Sequence, residues 1–264
     1  MKVIKAVSFG GGVNSTALLI GMVSRQQRPD FILFADTGNE FKETYAHVAM
    51  FSQWLEARGF PRISVVHRGF WRHATLEQEC HNLRTLPSKA FGYAGCSVKW
   101  KRQPMDRFLR KYMRAEGLWQ KRGKDRTNGI QVERVIGIDW GEQHRGQIPD
   151  DSEWRYSFPL IEWKWDREAC EEVILSHGMD LPRKSACTFC PSSTKEEVLW
   201  LAANRPELFE RAVAIERQAL NLQTVKGLGR HWSWEELVAA GPATQASMRE
   251  ADPIPCLCFD GERE

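Results

Sequence analysis

Near its start the chain reads SFGGGVNS, residues 8–15, and this stretch decides the fold. Val3–Ser8 is a short apolar run typical of a buried strand, and Thr16–Ser24 carries apolar residues at helical spacing. Three consecutive glycines allow positive φ angles and close backbone approach, so that successive N–H groups can converge on an anion. The stretch therefore predicts a phosphate cradle at the N-terminus of a helix, where the helix dipole favours negative charge.

Strand and helix signals continue to alternate after this loop. Phe31–Ala35 and Ile63–Val66 read as strands, with an amphipathic helix over Phe41–Arg58 between them. Such a β-α-β-α-β order predicts a parallel sheet with right-handed crossovers. Further predictions are a helix at Asp106–Glu116, an exposed loop at Gly123–Gly129, a strand at Glu133–Ile138, a helix capped by Asp166 and ending near His177, and two helices within Lys195–Leu220 divided near Pro206. We assign residues 1–224 to one nucleotide-binding domain and residues 225–264 to a C-terminal appendage.

Composition limits the class of protein. A chain of 264 residues with 42% hydrophobic content can bury a full core. No apolar run approaches the length that spans a bilayer and no signal peptide is recognisable, so we expect a cytoplasmic protein without a membrane partner.

The net charge of +3 does not by itself imply nucleic-acid binding. Lys99–Arg126, however, holds eleven basic and three acidic residues, and is read either as a surface for an anionic substrate or as a solvated helix face and loop.

The glycine loop departs from two other phosphate-binding loops. A Walker A loop ends in Gly-Lys-Ser/Thr, and no lysine lies between Gly10 and Thr16. A dinucleotide fingerprint fits better, because Gly10 and Gly12 have its spacing and Asp36 stands where a ribose-binding acid would. Ser15 nevertheless replaces its third glycine, and that interpretation leaves the cysteines unexplained.

Six segments, in order along the chain, resemble those of the phosphoadenosine phosphosulfate (PAPS) reductase family, within the adenine-nucleotide α-hydrolase superfamily. They are residues 8–15 (SFGGGVNS), 34–45 (FADTGNEFKETY), 96–99 (CSVK) with Pro104, 137–145 with its Gly-Ile start, 156–163 (YSFPLIEW) and 186–191 (ACTFCP). The resemblance implies a Rossmann-like, doubly wound, mostly parallel α/β sheet with a helical C-terminal part and a nucleotide at the carboxyl ends of the strands.

The resemblance also implies roles for individual residues. Those expected to hold the nucleotide, with the helix-opening residues of the cradle among them, are Ser8, Gly10, Gly11, Gly12, Asn14, Ser15, Thr16, Asp36 and Thr37. Asp36 and Thr37 are expected near the adenosine. Lys99 and Arg145 are expected to neutralise phosphate or sulfate charge, with His144 a weaker functional candidate beside Arg145. The complete glycine loop resembles that of members that split ATP between its α- and β-phosphates.

Seven cysteines without a secretory context favour metal or redox chemistry over disulfides. By resemblance to iron–sulfur members, Cys96, Cys187 and Cys190 are candidate ligands, with Cys256 or Cys258 completing a [4Fe–4S] cluster or, as a second choice, a zinc site. The alternative is that Cys187 and Cys190 are a redox or vestigial pair and Cys96 a buried small side chain. Cys80 and Cys170 are expected to serve packing only.

Taken together, these signals predict an enzyme that binds ATP with Mg²⁺, releases pyrophosphate and activates a substrate for sulfur transfer. A nucleic acid or a sulfur carrier is the expected partner, and a homodimer is left open. A thiol-dependent PAPS or adenylyl-sulfate reductase that uses Cys256 or Cys258 is the second hypothesis. A non-catalytic subunit that senses nucleotide is the third.

Overall fold

Five parallel strands form the central sheet in a computed structural model, which describes residues 3–69, 73–118, 130–220 and 224–240. The strands are β1 (Val3–Ser8), β2 (Phe31–Asp36), β3 (Ile63–His67), β4 (Gln131–Ile136) and β5 (Trp154–Ser157). Their spatial order is β3-β2-β1-β4-β5, and every neighbouring pair is parallel. The predicted Rossmann-like parallel α/β sheet is confirmed.

Helices connect the strands and continue after the sheet. Within the described residues they are α1 (Val13–Ser24), α2 (Lys42–Glu56), α3 (Leu76–Leu83), α4 (Gly95–Ser97), α5 (Gln103–Ala115), α6 (Pro159–Glu162), α7 (Arg167–Ser176), α8 (Lys195–Asn204), α9 (Pro206–Gln218) and α10 (Trp234–Ala239). Short 3₁₀ helices cover Ser88–Phe91 and Trp140–Gly146, and a π-helical turn over Val98–Arg102 joins α4 to α5. No helix in the described part of the chain combines the length and apolarity that crossing a membrane requires.

Most predicted elements are present with shifted ends. The first helix starts at Val13 rather than Thr16, because Gly12 is its N-cap. The fourth strand ends at Ile136, before the predicted Ile138, because the chain leaves the sheet at Gly137. The two predicted helices on either side of Pro206 are present as α8 and α9. The loop predicted at Gly123–Gly129 lies outside the described residues.

The sheet is covered on both faces. One face packs against α1, α2, α6 and α7, in a core that includes Val7, Leu18, Phe51, Leu160 and Ile174. The opposite face packs chiefly against α5, whose buried side chains meet strand residues; this second core includes Ile4, Leu33, Val132, Met105 and Leu109. Helices on both faces of a parallel sheet are the doubly wound arrangement that the sequence predicts.

A third apolar cluster lies among the helices that follow the sheet. It joins α3, α8, α9 and α10, and its buried members include Phe189, Val198, Ile215, Leu228 and Trp234. The predicted helical C-terminal part is therefore confirmed. Residues 225–240, which the sequence assigns to an appendage, pack into this cluster, and residues 241–264 lie outside the described part of the chain.

A buried carboxylate ties residues 228–235 to α9. Glu216 is 5% exposed, and its Oε1 accepts hydrogen bonds from the backbone N–H groups of Leu228 (2.6 Å) and Trp234 (3.0 Å). Its Oε2 accepts from the Ser233 hydroxyl at 2.9 Å. Charged acceptors make stronger hydrogen bonds than neutral ones, so this carboxylate anchors the segment to the cluster.

Glu216→Gln is expected to loosen this segment, because an amide offers one neutral acceptor where the carboxylate offers two charged ones. The local stability should fall by about 2 kcal/mol. Hydrogen exchange at residues 226–236 measures the change. Glu210→Gln, on the exposed face of α9, is the matched control and should leave the exchange as in the wild type. Equal exchange in both variants would contradict the role of Glu216.

Candidate functional site

The strand order places the site between β1 and β4. These strands are neighbours at the centre of the sheet. From β1 the chain continues to β2 on one side, and from β4 it continues to β5 on the other side. Open α/β sheets bind ligands at such a switch point, beyond the carboxyl ends of the strands. The chain after β4 passes unusually close to α1. A Cβ atom on Gly137 would lie 3.1 Å from the backbone of Asn14 and Ser15, so glycine allows this close approach without displacing either segment.

The glycine loop between β1 and α1 presents an open helix N-terminus. Gly11 has a φ of +81°, which strongly favours glycine, and Gly12 is the N-cap residue and has no side chain with which to cap the helix. The first turn of α1 contains no acidic residue. The backbone N–H groups of this turn and the positive end of the helix dipole therefore remain available to an anion.

The Gly12 carbonyl is held in place from the other side. It accepts hydrogen bonds from the Thr16 backbone N–H (3.1 Å), the Thr16 hydroxyl (3.0 Å) and the Ser15 hydroxyl (3.1 Å). A trans peptide is planar, so its N–H points opposite to its C=O. Three bonds that fix the Gly12 carbonyl therefore also fix the Val13 N–H, which points away from the helix.

His47 of α2 completes this arrangement. Its Nε2 lies 2.9 Å from the Thr16 hydroxyl oxygen. Because that hydroxyl donates to Gly12, His47 donates from Nε2. Burial lowers the pKa of His47, so the ring is neutral at neutral pH. The ring packs against both Phe9 and Phe51, with centroid distances of 6.3 and 5.6 Å. His47 was not among the residues predicted from the sequence, because a histidine on the apolar face of a helix cannot be distinguished by its spacing from an ordinary core residue.

A cavity of about 530 Å³ lies in front of the glycine loop. This volume is in the range of small-molecule sites. Besides the loop and the ends of β2 and β4, four cations and two carboxylates line it: Lys101, Arg145, Arg167, Lys184, Glu142 and Glu197. Both carboxylates are already paired, Glu142 with Arg145 at 2.7 Å and Glu197 with Lys184 at 2.9 Å. Lys101 and Arg167 also have carboxylate partners, Glu40 and Glu171, but those two carboxylates do not line the cavity. Cations therefore outnumber carboxylates at the cavity wall, which suits a polyanion.

Comparison with known proteins agrees with this geometry. Residues 4–167 match the phosphoadenosine phosphosulfate reductase domain. The chain belongs to this family. It is also 27% identical, over 237 residues, to the uncharacterized protein MJ0973 of Methanocaldococcus jannaschii. That alignment covers 87% of this chain and 51% of the relative, so the chain spans about half the length of the relative it matches. Membership of the PAPS reductase domain family indicates an enzyme that uses a nucleotide.

The structure brings most of the predicted phosphate-binding residues of this PAPS reductase domain to the cavity. Those that line it are Ser8, Gly10, Gly12, Asn14, Ser15 and Arg145. Gly11 and Thr16 lie behind the loop. A Cβ on Gly11 would lie 3.1 Å from the Thr44 side chain of α2, and Thr16 is fully buried. Both positions shape the loop from within the protein.

Asp36 and Thr37 do not line this cavity. The Asp36 carboxylate accepts from the Gly38 N–H and from the Tyr45 hydroxyl, both at 2.7 Å. Thr37 is 1% exposed, and its hydroxyl oxygen lies 3.1 Å from the sulfur of Cys187. Phe34 and Ala35, at the end of β2, reach the cavity instead. The Asp-Thr-Gly segment thus shapes the loop after β2, and the adenosine contact stays a prediction.

Lys99 lies away from the glycine loop, and Lys101 lines the cavity in its place. The Lys99 ammonium pairs with Glu79 at 2.8 Å, whereas Lys101 pairs with Glu40 at 3.3 Å. The two lysines lie two residues apart on the π-helical turn, which directs them to different cavities. Lys101, which was not among the residues predicted from the sequence, is therefore the lysine of this segment that faces the glycine-loop cavity, and a phosphate or sulfate contact of Lys99 stays a prediction.

The Cys187–Cys190 loop packs against the segment after β2. Cys187 forms a β-bridge with Glu40, and the Thr188 N–H donates to the Asn39 carbonyl at 2.9 Å. Complete burial raises the pKa of Cys187 well above its ordinary value, so its sulfur is a protonated thiol at neutral pH. This loop therefore joins the C-terminal helices to the carboxyl edge of the sheet.

The predicted cysteine ligands do not form a metal site by themselves. Within the described residues, no three or more His, Cys, Asp or Glu side chains are arranged to hold a metal ion. Cys96 lies in a second cavity, with Cys80. Cys256 and Cys258 lie outside the described residues, so a set completed by either of them stays a prediction. Burial raises the pKa of the Cys80 and Cys170 thiols to about 12, consistent with packing roles.

The basic segment is partly used within the protein. Arg110 makes a bidentate pair with Glu153 at 2.7 and 2.9 Å, in addition to the two lysine pairs above. Residues 119–129 of this segment lie outside the described part of the chain, and a nucleic-acid surface there stays a prediction. His144 is exposed and does not line the cavity.

Proposed function

We propose that the protein binds ATP in the glycine-loop cavity and splits it between the α- and β-phosphates to activate an acceptor. The observation that supports this most directly is the open N-terminus of α1 facing a cavity with four cations. A triphosphate needs more than one cation along its length, and backbone N–H groups at a helix N-terminus suit one phosphate group.

Each group has a stated task in this proposal. The first-turn N–H groups of α1 and the Ser8 hydroxyl hold the phosphates next to the loop, while the Ser15 hydroxyl, which donates to the Gly12 carbonyl, helps to fix the loop. Lys101 and Arg145 neutralise charge that builds on the leaving pyrophosphate, because fixed charges in a cavity act without reorganisation. An oxygen of the acceptor forms a bond to the α-phosphorus, the bridging Pα–O bond breaks, and its electron pair leaves with pyrophosphate. The acceptor proton passes to solvent.

Mg²⁺ would add charge neutralisation at the phosphates. It is usually held by one or two carboxylates together with phosphate oxygens and water. Glu142 and Glu197 are the carboxylates that line the cavity. Either carboxylate would hold the ion by exchanging its present pair with Arg145 or Lys184, and phosphate oxygens and water would supply the other ligands.

The acceptor we propose is a nucleic acid or a sulfur carrier, which would be activated for sulfur transfer. The proposal rests on the family membership and on the basic segment. A thiol-dependent reductase would need a reactive cysteine, and Cys256 and Cys258, the candidates, lie outside the described residues. We favour the ATP reaction because the open N-terminus of α1 and the cations of the cavity suit a triphosphate.

The test follows the products of Mg-ATP labelled at the α-phosphate, with and without total cellular nucleic acid. We expect pyrophosphate and an adenylated product or AMP. Formation of ADP and phosphate would assign the cleavage to a different bond. Sulfite from PAPS and a thiol reductant, with no pyrophosphate from ATP, would overturn the proposal in favour of a reductase. Nucleotide binding without any product would indicate a non-catalytic subunit.

Arg145→Gln tests the site directly. Its side chain is 13% exposed and reaches the cavity, so its loss should lower pyrophosphate release at least about tenfold. Arg155→Gln is the matched control, because Arg155 is exposed on β5 and does not line the cavity. Equal rates in both variants would remove Arg145 from the mechanism.

A further inference from the structure

A second cavity of about 390 Å³ opens on the other side of the π-helical turn. Its walls come from α3, residues 85–93 and the Gly95–Lys99 segment. Among the lining side chains, Leu76, Leu86 and Pro87 are aliphatic, and Phe91 and Tyr93 carry flat aromatic rings. Tyr93 is 69% exposed and lies at the surface. The volume is in the range of small-molecule sites.

The charge of this cavity comes from one cluster. Glu79 is paired with Lys99 and with Arg68, and the Trp100 indole nitrogen lies 3.5 Å from the Glu79 Oε1. Burial acts to raise the pKa of Glu79, but the hydrogen bonds from Lys99 and Arg68 hold it below its ordinary value. The carboxylate is therefore ionised and already has partners on both oxygens.

Two cations against one carboxylate leave the cluster with a formal charge of +1. Arg68 is behind the cavity, with its guanidinium carbon 4.7 Å from the centre of the Trp100 ring. Lys99 lines the cavity, and its side chain is 38% exposed. An ammonium has three hydrogens, and the bond to Glu79 uses one of them. Lys99 is thus the group that an incoming anion would meet.

We propose that this cavity binds a small flat carboxylate, with the carboxylate on Lys99 and the flat portion against Leu86 and Phe91. The site is distinct from the nucleotide cavity, because Lys99 and Lys101 point to different sides of the π-helical turn. π-Helical turns occur frequently at functional sites. The proposal does not depend on ATP cleavage.

Benzoate and benzamide are the probes, since they share a flat ring and differ in charge. Saturation-transfer NMR on the full chain measures their binding, and mass spectrometry of the Cys96 peptide measures protection from iodoacetamide. Cys96 also lines the cavity and is partly exposed, so it reports occupancy. We expect benzoate to bind about tenfold more tightly than benzamide, because a hydrogen bond to a charged group is stronger than one to a neutral group.

Three variants decide the assignment. Lys99→Met should abolish the preference for benzoate, and Lys99→Arg should retain it. Lys111→Met, exposed on α5 and lining neither cavity, is the control and should leave the preference unchanged. Equal binding of the two probes, no binding of either, or an unchanged preference in Lys99→Met would overturn the proposal. ATP binding, measured in the same samples, separates this outcome from failure of the proposed function.

Discussion

ATP binding about tenfold weaker than in the wild type is the expected result for His47→Phe. Phenylalanine keeps the ring contacts with Phe9 and Phe51 but cannot donate to the Thr16 hydroxyl. The hydroxyl then loses the partner that directs its own bond to the Gly12 carbonyl. The peptide that presents the Val13 N–H keeps its bonds from the Thr16 N–H and the Ser15 hydroxyl but is held less firmly, so the phosphate meets a less well fixed donor. Isothermal titration with Mg-ATP measures the change.

The His47 prediction has a rescue and a control. His47→Gln restores an N–H donor and should recover much of the ATP affinity, which a purely structural role for the aromatic ring would not produce. His177→Phe is the matched control, because His177 is an exposed histidine that packs against Trp54. Wild-type ATP affinity in His47→Phe would exclude the proposed role of His47 in orienting the loop.

Lys101→Met is expected to destabilise the protein by about 3–5 kcal/mol. The Glu40 side chain is completely buried, and its carboxylate is paired with Lys101 at 3.3 Å and accepts from the Ser185 hydroxyl at 3.2 Å. Removing the lysine leaves a buried negative charge that keeps the hydrogen bond from the Ser185 hydroxyl but has lost its paired cation. Urea denaturation measures the loss of stability, and titration with Mg-ATP measures the loss of affinity.

A double variant separates the two effects. Lys101→Met with Glu40→Gln removes the buried charge as well, so most of the stability should return while ATP affinity stays low. Lys184→Met is the control, because it should lower ATP affinity with little loss of stability. Lys184 lines the same cavity, but its pair with Glu197 is exposed and contributes about 1 kcal/mol or less. Recovery of ATP affinity in the double variant would show that Lys101 has no role at the phosphates.

The sheet and its phosphate loop could be predicted because their signals are local. A short apolar run, three glycines and a helical pattern occur within about twenty residues, and each favours the same strand-loop-helix unit. The choice between Lys99 and Lys101 was not accessible in this way. The direction of each lysine depends on a π-helical turn, and a helical pattern of ordinary period does not reveal such a turn.

The cysteines show a different limit. The family resemblance suggested Cys96, Cys187 and Cys190 as ligands; the structure places Cys187 against Thr37 and Cys96 at the wall of the second cavity, and the ligand set stays a prediction. Whether two cysteines face each other depends on contacts between segments about ninety residues apart. Spacing within one segment carries no information about such contacts. His47 belongs to the same class, because its partner Thr16 lies on a different helix.

The bridge between Glu40 and Cys187 has a consequence for the extent of the functional unit. Residues 4–167 match the family domain, yet Lys184, Ser185 and Glu197 also line the nucleotide cavity. The bridge brings these residues to the carboxyl edge of the sheet. The pocket is thus assembled from two parts of the chain, and a fragment cut at the end of the matched domain would lack one of its walls.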